Sequence, residues 1–231
     1  MFWTFVPATP LGGRELVIDG KKGHHLGRVL RVRPGERGVA VMNGRRYDLE
    51  VVQVQGDRVV ARVLDDQPIT DESSVAPTLL QAVLPNPDFD AVVEGVTAIG
   101  IKRLVAIQAA RSVRHPGADR RARWLAIAES AAEQSHADRV PEVEGPLALD
   151  AALESPDSRV LVLDPAATRR LNDAVERGRP HTLAIGPEGG WTAEELARFV
   201  RAGATAVSLG PRILRARLAA VVATAILVHQ S

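Results

Sequence analysis

Two rhythms of apolar residues run along this chain. In the first seventy positions, short valine-rich runs alternate with turn residues: Phe2 to Val6, Arg37 to Met42, Tyr47 to Val54 and Arg58 to Leu64. Such runs read as strands, because β-branched side chains suit a pleated, half-buried surface. Asn43-Gly44 stands between the second and third runs, and this dipeptide favours a two-residue hairpin because both positions take positive φ. Gln55-Gly56-Asp57 supplies a second turn, and Lys22 to Leu30 reads as one short helix. Short strands at this spacing predict a small barrel. Asp65 to Pro77, polar and bounded by prolines, reads as a linker.

Beyond Pro77 the rhythm becomes one of alternating strands and helices. Thr78 to Leu84, Leu104 to Gln108, Val160 to Leu163, Leu183 to Ile185 and Ala206 to Leu209 are the expected strands. Helices are expected over Asp88 to Ile99, stopped by Gly100, over Asp119 to Ser135, over Ala167 to Arg177, and from about Ile213 onward. In the second of these, Trp124, Ile127, Ala128, Ala131 and Ala132 share one face, which marks Trp124 as core. Thr192 with Glu195 three residues later predicts a capping box. Strand–helix alternation implies a mostly parallel sheet covered on both faces. The expected organisation is therefore a small β domain at 1–70 and an α/β domain at 71–231.

Composition narrows the chemistry. Hydrophobic residues make up 45% and charged residues 25% of the chain, a globular balance. The absence of cysteine excludes disulfides, thiolate zinc sites and cysteine nucleophiles. The most apolar stretch, Leu218 to Val228, is far shorter than the roughly 20 residues that span a bilayer. Met1 to Phe5 lacks the basic start and long apolar core of a secretory signal, so a soluble, cytoplasmic protein with no membrane partner is expected.

Net charge is +1, but it is unevenly spread. Between Gly20 and Arg46, Lys21, Lys22, Arg28, Arg31, Arg33, Arg37, Arg45 and Arg46 face Glu36 alone. A solvated cationic face and a phosphate-binding surface both fit this cluster, since clustered cations gain affinity by releasing counterions from nucleic acid. His24 and His25 lie in the same stretch. No partner stands at ligand spacing from them, so no metal site is expected.

The richest segment is His181 to Val228, where strand, loop and helix occur twice in succession. Leu183-Ala184-Ile185 enters Gly186-Pro187-Glu188-Gly189-Gly190, and Ala206-Val207-Ser208-Leu209 enters Gly210-Pro211-Arg212. Loops at the carboxyl ends of parallel strands are where α/β folds bind ligands. Glycine there lets backbone groups approach a flat ligand without Cβ obstruction. Neither loop has the spacing of a dinucleotide or P-loop fingerprint.

Ile185-Gly186-Pro187-Glu188-Gly189-Gly190-Trp191, followed by Leu209-Gly210-Pro211-Arg212-Ile213-Leu214-Arg215, closely resembles the RsmE family. Two upstream stretches are similar to the same family: His25 to Gly35, and Arg123-Trp124 with Glu129, Glu133-Gln134-Ser135 and Arg139-Val140-Pro141. The resemblance implies an S-adenosylmethionine-dependent methyltransferase of the SPOUT class acting on N3 of a uridine in small-subunit (16S) ribosomal RNA. It implies a PUA-like β-barrel that binds RNA, an α/β domain with a deep trefoil knot, and a homodimer. The cofactor residues it implies are Leu183, Ile185, Gly186, Pro187, Glu188, Gly189, Gly190, Leu209, Gly210, Ile213, Leu214 and Arg215. His25, Arg28, Arg31 and Arg33 would contact RNA. No metal is needed, because the sulfonium methyl is already electrophilic and the protein has mainly to align it. Arg215 is the candidate for favouring the uracil anion or positioning a phosphate; a surface charge at a helix terminus is the other reading. Glu188 reads equally as a turn residue near a helix N-terminus, where a carboxylate is favoured by the dipole.

The chain departs from the family pattern at Ala216-Arg217-Leu218-Ala219, where Thr-Glu-Thr-Ala is usual, and around Gln81 to Asn86, which lacks the usual Lys-Gly-Asp. The helix that normally ends Thr-Glu-Leu-Gly ends here Thr97-Ala98-Ile99-Gly100. Arg217 is expected to face RNA rather than the sulfonium. These changes leave a second function open, a knotted RNA-binding protein of weak or no activity in ribosome assembly.

Overall fold

The computed structural model describes residues 1–7, 13–69, 75–112, 120–154 and 158–230. The chain divides into two compact units: Met1–Thr70 with His136–Arg139, and Asp71–Ser135 with Val140–Ser231.

In the first unit, β1 (Phe2–Phe5), β2 (Glu15–Ile18), β3 (Arg37–Met42), β4 (Arg45–Gln55) and β5 (Arg58–Pro68) form one sheet in the order β1-β3-β4-β5-β2. β1 runs parallel to β3, and the remaining pairs are antiparallel. The hairpin turns on Asn43 (φ 51°) and Gly44 (φ 68°), as the dipeptide predicts. β2 escaped the sequence reading, because four residues are too few to establish a period. Among the described strands, the edges β1 and β2 are not paired with each other, so the expected barrel is seen as a sheet with two edges. Leu16, Leu26, Leu49, Val59 and Ala61 are fully buried on its inner side.

The expected helix from Lys22 to Leu30 is instead α1 (Gly20–His24) followed by a π-helical turn, His25–Val29. The cause is close packing on the second hairpin. A Cβ on Gly23 would lie 1.9 Å from the Asp57 carbonyl oxygen, and one on Gly27 would lie 2.3 Å from that of Gly56. Helix and hairpin backbones touch there, and the wider turn keeps them in contact. The linker also begins later than expected. Asp65 to Pro68 continue β5 against Arg45 to Asp48, and Arg45 Nε donates to Asp66 at 2.7 Å. Positions 70–74 of that linker, and the expected helix start at Asp119, lie outside the described residues.

The second unit holds a six-stranded, all-parallel sheet: β6 (Thr78–Ala82), β7 (Arg103–Gln108), β8 (Glu142–Ala148), β9 (Arg159–Leu163), β10 (His181–Ile185) and β11 (Thr205–Val207), ordered β11-β9-β10-β6-β7-β8. Alternate residues feed two cores. Leu79, Leu104, Leu183 and Ile185 pack with α2 (Asp88–Ile99), α3 (Arg120–Gln134) and α6 (Ala216–Gln230). Leu80, Val105, Val160 and Ala184 pack with α4 (Leu149–Leu153) and α5 (Ala193–Arg201). Trp124 is fully buried against Phe89, their rings 4.4 Å apart, so its assignment to the core holds. β8 and α4 were not foreseen, because Gly145-Pro146 interrupts the pattern there.

Two expectations fail here. Ala167 to Arg177 is not a helix; only Leu171–Asp173 form a 3₁₀ turn. The backbone of that stretch is used elsewhere: Ser208 N donates to Arg169 O and Leu171 N to Ser208 O, both at 2.9 Å. The last helix starts at Ala216 rather than Ile213. Among the described residues, no helix is long and apolar enough to cross a membrane.

Candidate active site

β10 is the fourth strand from the β8 edge and is buried along its whole length. A strand enclosed on both faces reads as an unbroken apolar run, and it delivers the loop 186–191 to the carboxyl edge of the sheet. Gly186 and Pro187 are buried, and a Cβ on Gly186 would stand 3.2 Å from the Trp191 indole. Trp191 in turn packs edge-on against Phe199 at 4.9 Å. Across Gly189 lies the side-chain stem of Arg111, with Cδ 3.2 Å from where a Cβ would be. Arg111 Nη1 donates to the Gly189 carbonyl at 2.7 Å.

The helix that follows is capped as its sequence predicts. Glu195 N donates to Thr192 Oγ1 at 3.2 Å, and Thr192 N donates to Glu195 Oε2 at 2.8 Å. The other Glu195 oxygen accepts from Ala110 N at 2.7 Å. This nearly buried carboxylate therefore fixes the start of α5 and the loop after β7 together.

The second loop, 208–215, leaves β11 at the sheet edge. Leu209 is half-buried, Gly210 has φ 117° with nothing within 4 Å of its missing Cβ, and Ile213 is 84% exposed. Arg215 is exposed. β9 lies between β11 and β10, yet the loop comes back far enough for Ala216 N to donate to Glu188 Oε1 at 3.3 Å. Glu188 thus sits at the amino end of α6, where the helix dipole favours a carboxylate. The two glycine loops meet through this contact.

The chain matches the RNA methyltransferase domain family over residues 71–228 and the RNA methyltransferase PUA domain over 18–64. It is 36% identical to the ribosomal RNA small subunit methyltransferase E of Mycobacterium tuberculosis, covering 95% of this chain and 88% of the relative. It is 27% identical to the protein of that name in Bacillus subtilis, over 93% of this chain and 90% of the relative. A Neisseria gonorrhoeae ribosomal RNA small subunit methyltransferase E bound to S-adenosylmethionine superposes with TM-score 0.88 at 28% identity, over 97% and 95% of the two chains. A Legionella pneumophila methyltransferase solved with the same cofactor gives TM-score 0.88 at 26% identity, over 98% and 96%.

The chain belongs to the ribosomal RNA small subunit methyltransferase E family. The resemblance read from the motifs holds, as does the order of a PUA-like unit before a parallel α/β unit. Within this methyltransferase, Gly186 to Gly190 share one loop and Leu209 to Arg215 the other, whereas Leu183 and Ile185 are core residues beneath the first. His25, Arg28, Arg31 and Arg33 are all exposed on the first unit, Arg28 sharing Asp57 with His24. The cationic run is thinner than its sequence suggests. Arg45 pairs with Asp66, and Arg46 Nε donates to Asp138 at 3.0 Å while its guanidinium lies 5.1 Å from the Trp3 ring centroid. Arg217 pairs with Asp88 at the start of α2, at 3.1 Å, so its charge is engaged within the protein.

The sequence reading missed three residues at the site. Arg111 and the Ala110 contact of Glu195 join segments some eighty positions apart, which no local motif signals. Gln81, level with Ile185 in the sheet, is fully buried. Its Nε2 donates to Ala82 O at 2.9 Å, while its Oε1, like Trp191 Nε1, has no hydrogen-bond partner among the described residues. Buried polar atoms are rarely left unpaired without a reason. These two, with the open space before Gly210, suit a polar, heteroatom-rich cofactor such as S-adenosylmethionine. Among the described residues, no group of three or more His, Asp or Glu is placed to hold a metal ion.

Proposed function

We propose that this family member transfers the methyl group of S-adenosylmethionine to N3 of a uridine in 16S ribosomal RNA, in the cytoplasm. The observation that carries the reading is the junction of the two glycine loops through Glu188 and Ala216, in a chain whose relatives bear that rRNA methyltransferase name. Gly186 to Gly190, Leu209, Gly210 and Ile213 to Arg215 would hold the cofactor, over the apolar floor made by Leu183 and Ile185. When bound, the cofactor supplies an electrophilic methyl carbon. The N3–C bond forms as the S–C bond breaks, and the N3 proton leaves to solvent or a base. Arg215, exposed at the mouth of the second loop, supplies positive charge that favours the uracil anion. Positioning the uracil ring in line with the methyl carbon is the protein's main contribution.

The same reading assigns the deep trefoil knot to the second unit. The hydrogen bonds of Ser208 to Arg169 and Leu171, and of Ala216 to Glu188, support it, because they carry the chain from the sheet edge past residues 169–171 to the centre. A homodimer through α6 is part of the proposal. One side of α6 buries Ala216, Ala219, Ala220, Ala223 and Leu227, while Leu218 stays 49% exposed and Val222 and Ala225 are half-buried. Light scattering is expected to give twice the chain mass of 24.8 kDa; the single-chain mass at micromolar concentration would remove the dimer. The first unit would bind the rRNA through His25, Arg28, Arg31 and Arg33. Calorimetry with the natural protein tests the cofactor assignment: saturable S-adenosylmethionine binding is expected, and its absence would overturn it.

A further inference from the structure

The loop that ends β10 is held from the side by a residue that no motif marks. Arg111 follows β7, and β6 lies between β7 and β10 in the sheet. Its stem crosses the bare Cα of Gly189, with Cδ, Cβ and Cγ at 3.2, 3.4 and 3.8 Å from the position of a Cβ. Its guanidinium then donates from Nη1 to the carbonyl of the same residue at 2.7 Å. The backbone carrying Arg111 is anchored independently. Ala110 N donates at 2.7 Å to Glu195, a carboxylate only 6% exposed, and Ala109 N donates to Ser112 Oγ at 3.2 Å. Arg111 therefore reaches from a fixed base to a loop of Gly-Pro-Glu-Gly-Gly, the segment with the most conformational freedom to lose.

A long exposed arginine gives up rotamer freedom to hold one geometry. Two features offset that cost here. The bond is charge-assisted, which makes it about twice as strong as a neutral one, and the stem packs on Gly189 so closely that even a Cβ there would press on its Cδ at 3.2 Å. Glycine at 189 is thus explained by an arginine lying across it rather than by a ligand approaching it.

We propose that Arg111 is a positioning residue for methyl transfer: by clamping Gly189 it holds the loop 186–190 in the shape that receives the cofactor. This rests on the reading of that loop as the cofactor site. The guanidinium acts through the Gly189 carbonyl, so its loss acts on cofactor binding rather than on the transfer step or on RNA. A loop ordered before binding spares the complex the cost of ordering it afterwards.

The test compares the natural full-length protein with Arg111→Ala and Arg111→Lys. Four measurements are made: S-adenosylmethionine affinity by calorimetry, rRNA affinity, steady-state methyl-transfer kinetics, and hydrogen exchange of the Gly189 and Gly190 amides without cofactor. For Arg111→Ala, cofactor Kd and KM should rise about tenfold, the scale of one hydrogen bond to a charged group. kcat at saturating cofactor and rRNA affinity should stay unchanged, and loop amides should exchange faster. Lysine, which keeps a stem and a donor, should recover part of the affinity. Unchanged cofactor Kd in Arg111→Ala, with a natural protein that binds the cofactor, would overturn this inference alone. Loss of rRNA affinity instead would make Arg111 an RNA contact and also overturn it. A natural protein that fails to bind the cofactor would overturn the site reading itself, while faster loop exchange in Arg111→Ala would still register the clamp.

Discussion

The loop after β10 and the loop after β11 are both built on glycine, but the space in front of their glycines differs. Gly186 faces the Trp191 ring and Gly189 faces the Arg111 stem, each at 3.2 Å, and neither needs positive φ. Gly210 is the reverse: its surroundings are open within 4 Å, and its φ of 117° is one that other residues rarely adopt. Gly186 and Gly189 are set by the protein's own side chains, whereas Gly210, like Gly190 (φ 70°) at the end of the first loop, is set by its backbone path. Glycines at similar-looking motif positions therefore answer to different physics: Gly186 and Gly189 are closed in by side chains, whereas Gly190 and Gly210 face open space.

Substitutions separate the two cases. The largest effect is expected for Gly189→Val, whose branched side chain must displace Arg111. Overpacking of that kind costs about 1–3 kcal/mol, which corresponds to roughly a tenfold to hundredfold loss of cofactor affinity in calorimetry. Full affinity in this variant would show that Arg111 moves aside freely. Gly210→Ala meets no atom but forces alanine to a strained φ, worth about 1–3 kcal/mol where the loop is held. Thermal unfolding should therefore show a lower Tm for Gly210→Ala than for Gly189→Ala, and the opposite order would erase the distinction drawn here.

The amino end of β10 provides a control remote from either loop. His181 is 1% exposed, its Nε2 accepts from Glu176 N at 3.1 Å, and burial holds its pKa below the ordinary 6.5. Because the unfolded chain takes up that proton first, stability should be full above pH 6.5 and decline as the pH falls below it. The slope is at most about 1.4 kcal/mol per pH unit. Denaturation midpoints for the natural protein and His181→Gln, measured from pH 7.5 to 5, should converge toward acid; parallel curves would assign the pH dependence elsewhere. The smallest effect is expected for Arg217→Glu, which sets a second carboxylate beside Asp88. Exposed pairs contribute about 0–1 kcal/mol, so stability should fall slightly while cofactor and rRNA affinities stay the same. A marked loss of rRNA binding would restore Arg217 as an RNA contact.

What the sequence made legible follows from range. Strong local signals were readable: Asn43-Gly44, the Thr192–Glu195 box, Gly100 closing α2, and the apolar face around Trp124. The candidate loops were legible because their residues are contiguous. What stayed hidden depended on distant partners. Ala167 to Arg177 has helical composition, but its backbone is claimed by Ser208; Arg46 looks like a free cation until Asp138 returns to meet it. Arg111 and the second oxygen of Glu195 belong to the same class, each defined by a partner some eighty positions away.

The central claim is that the paired loops hold a methyl donor for rRNA. Incubating the natural protein with methyl-labelled S-adenosylmethionine and undermethylated small ribosomal subunits, then digesting the 16S RNA to nucleosides, tests it directly. The account predicts label in N3-methyluridine, lost or sharply reduced with Gly189→Val. Tight rRNA binding with no labelled nucleoside would contradict it and leave an RNA-binding protein without transferase activity in its place.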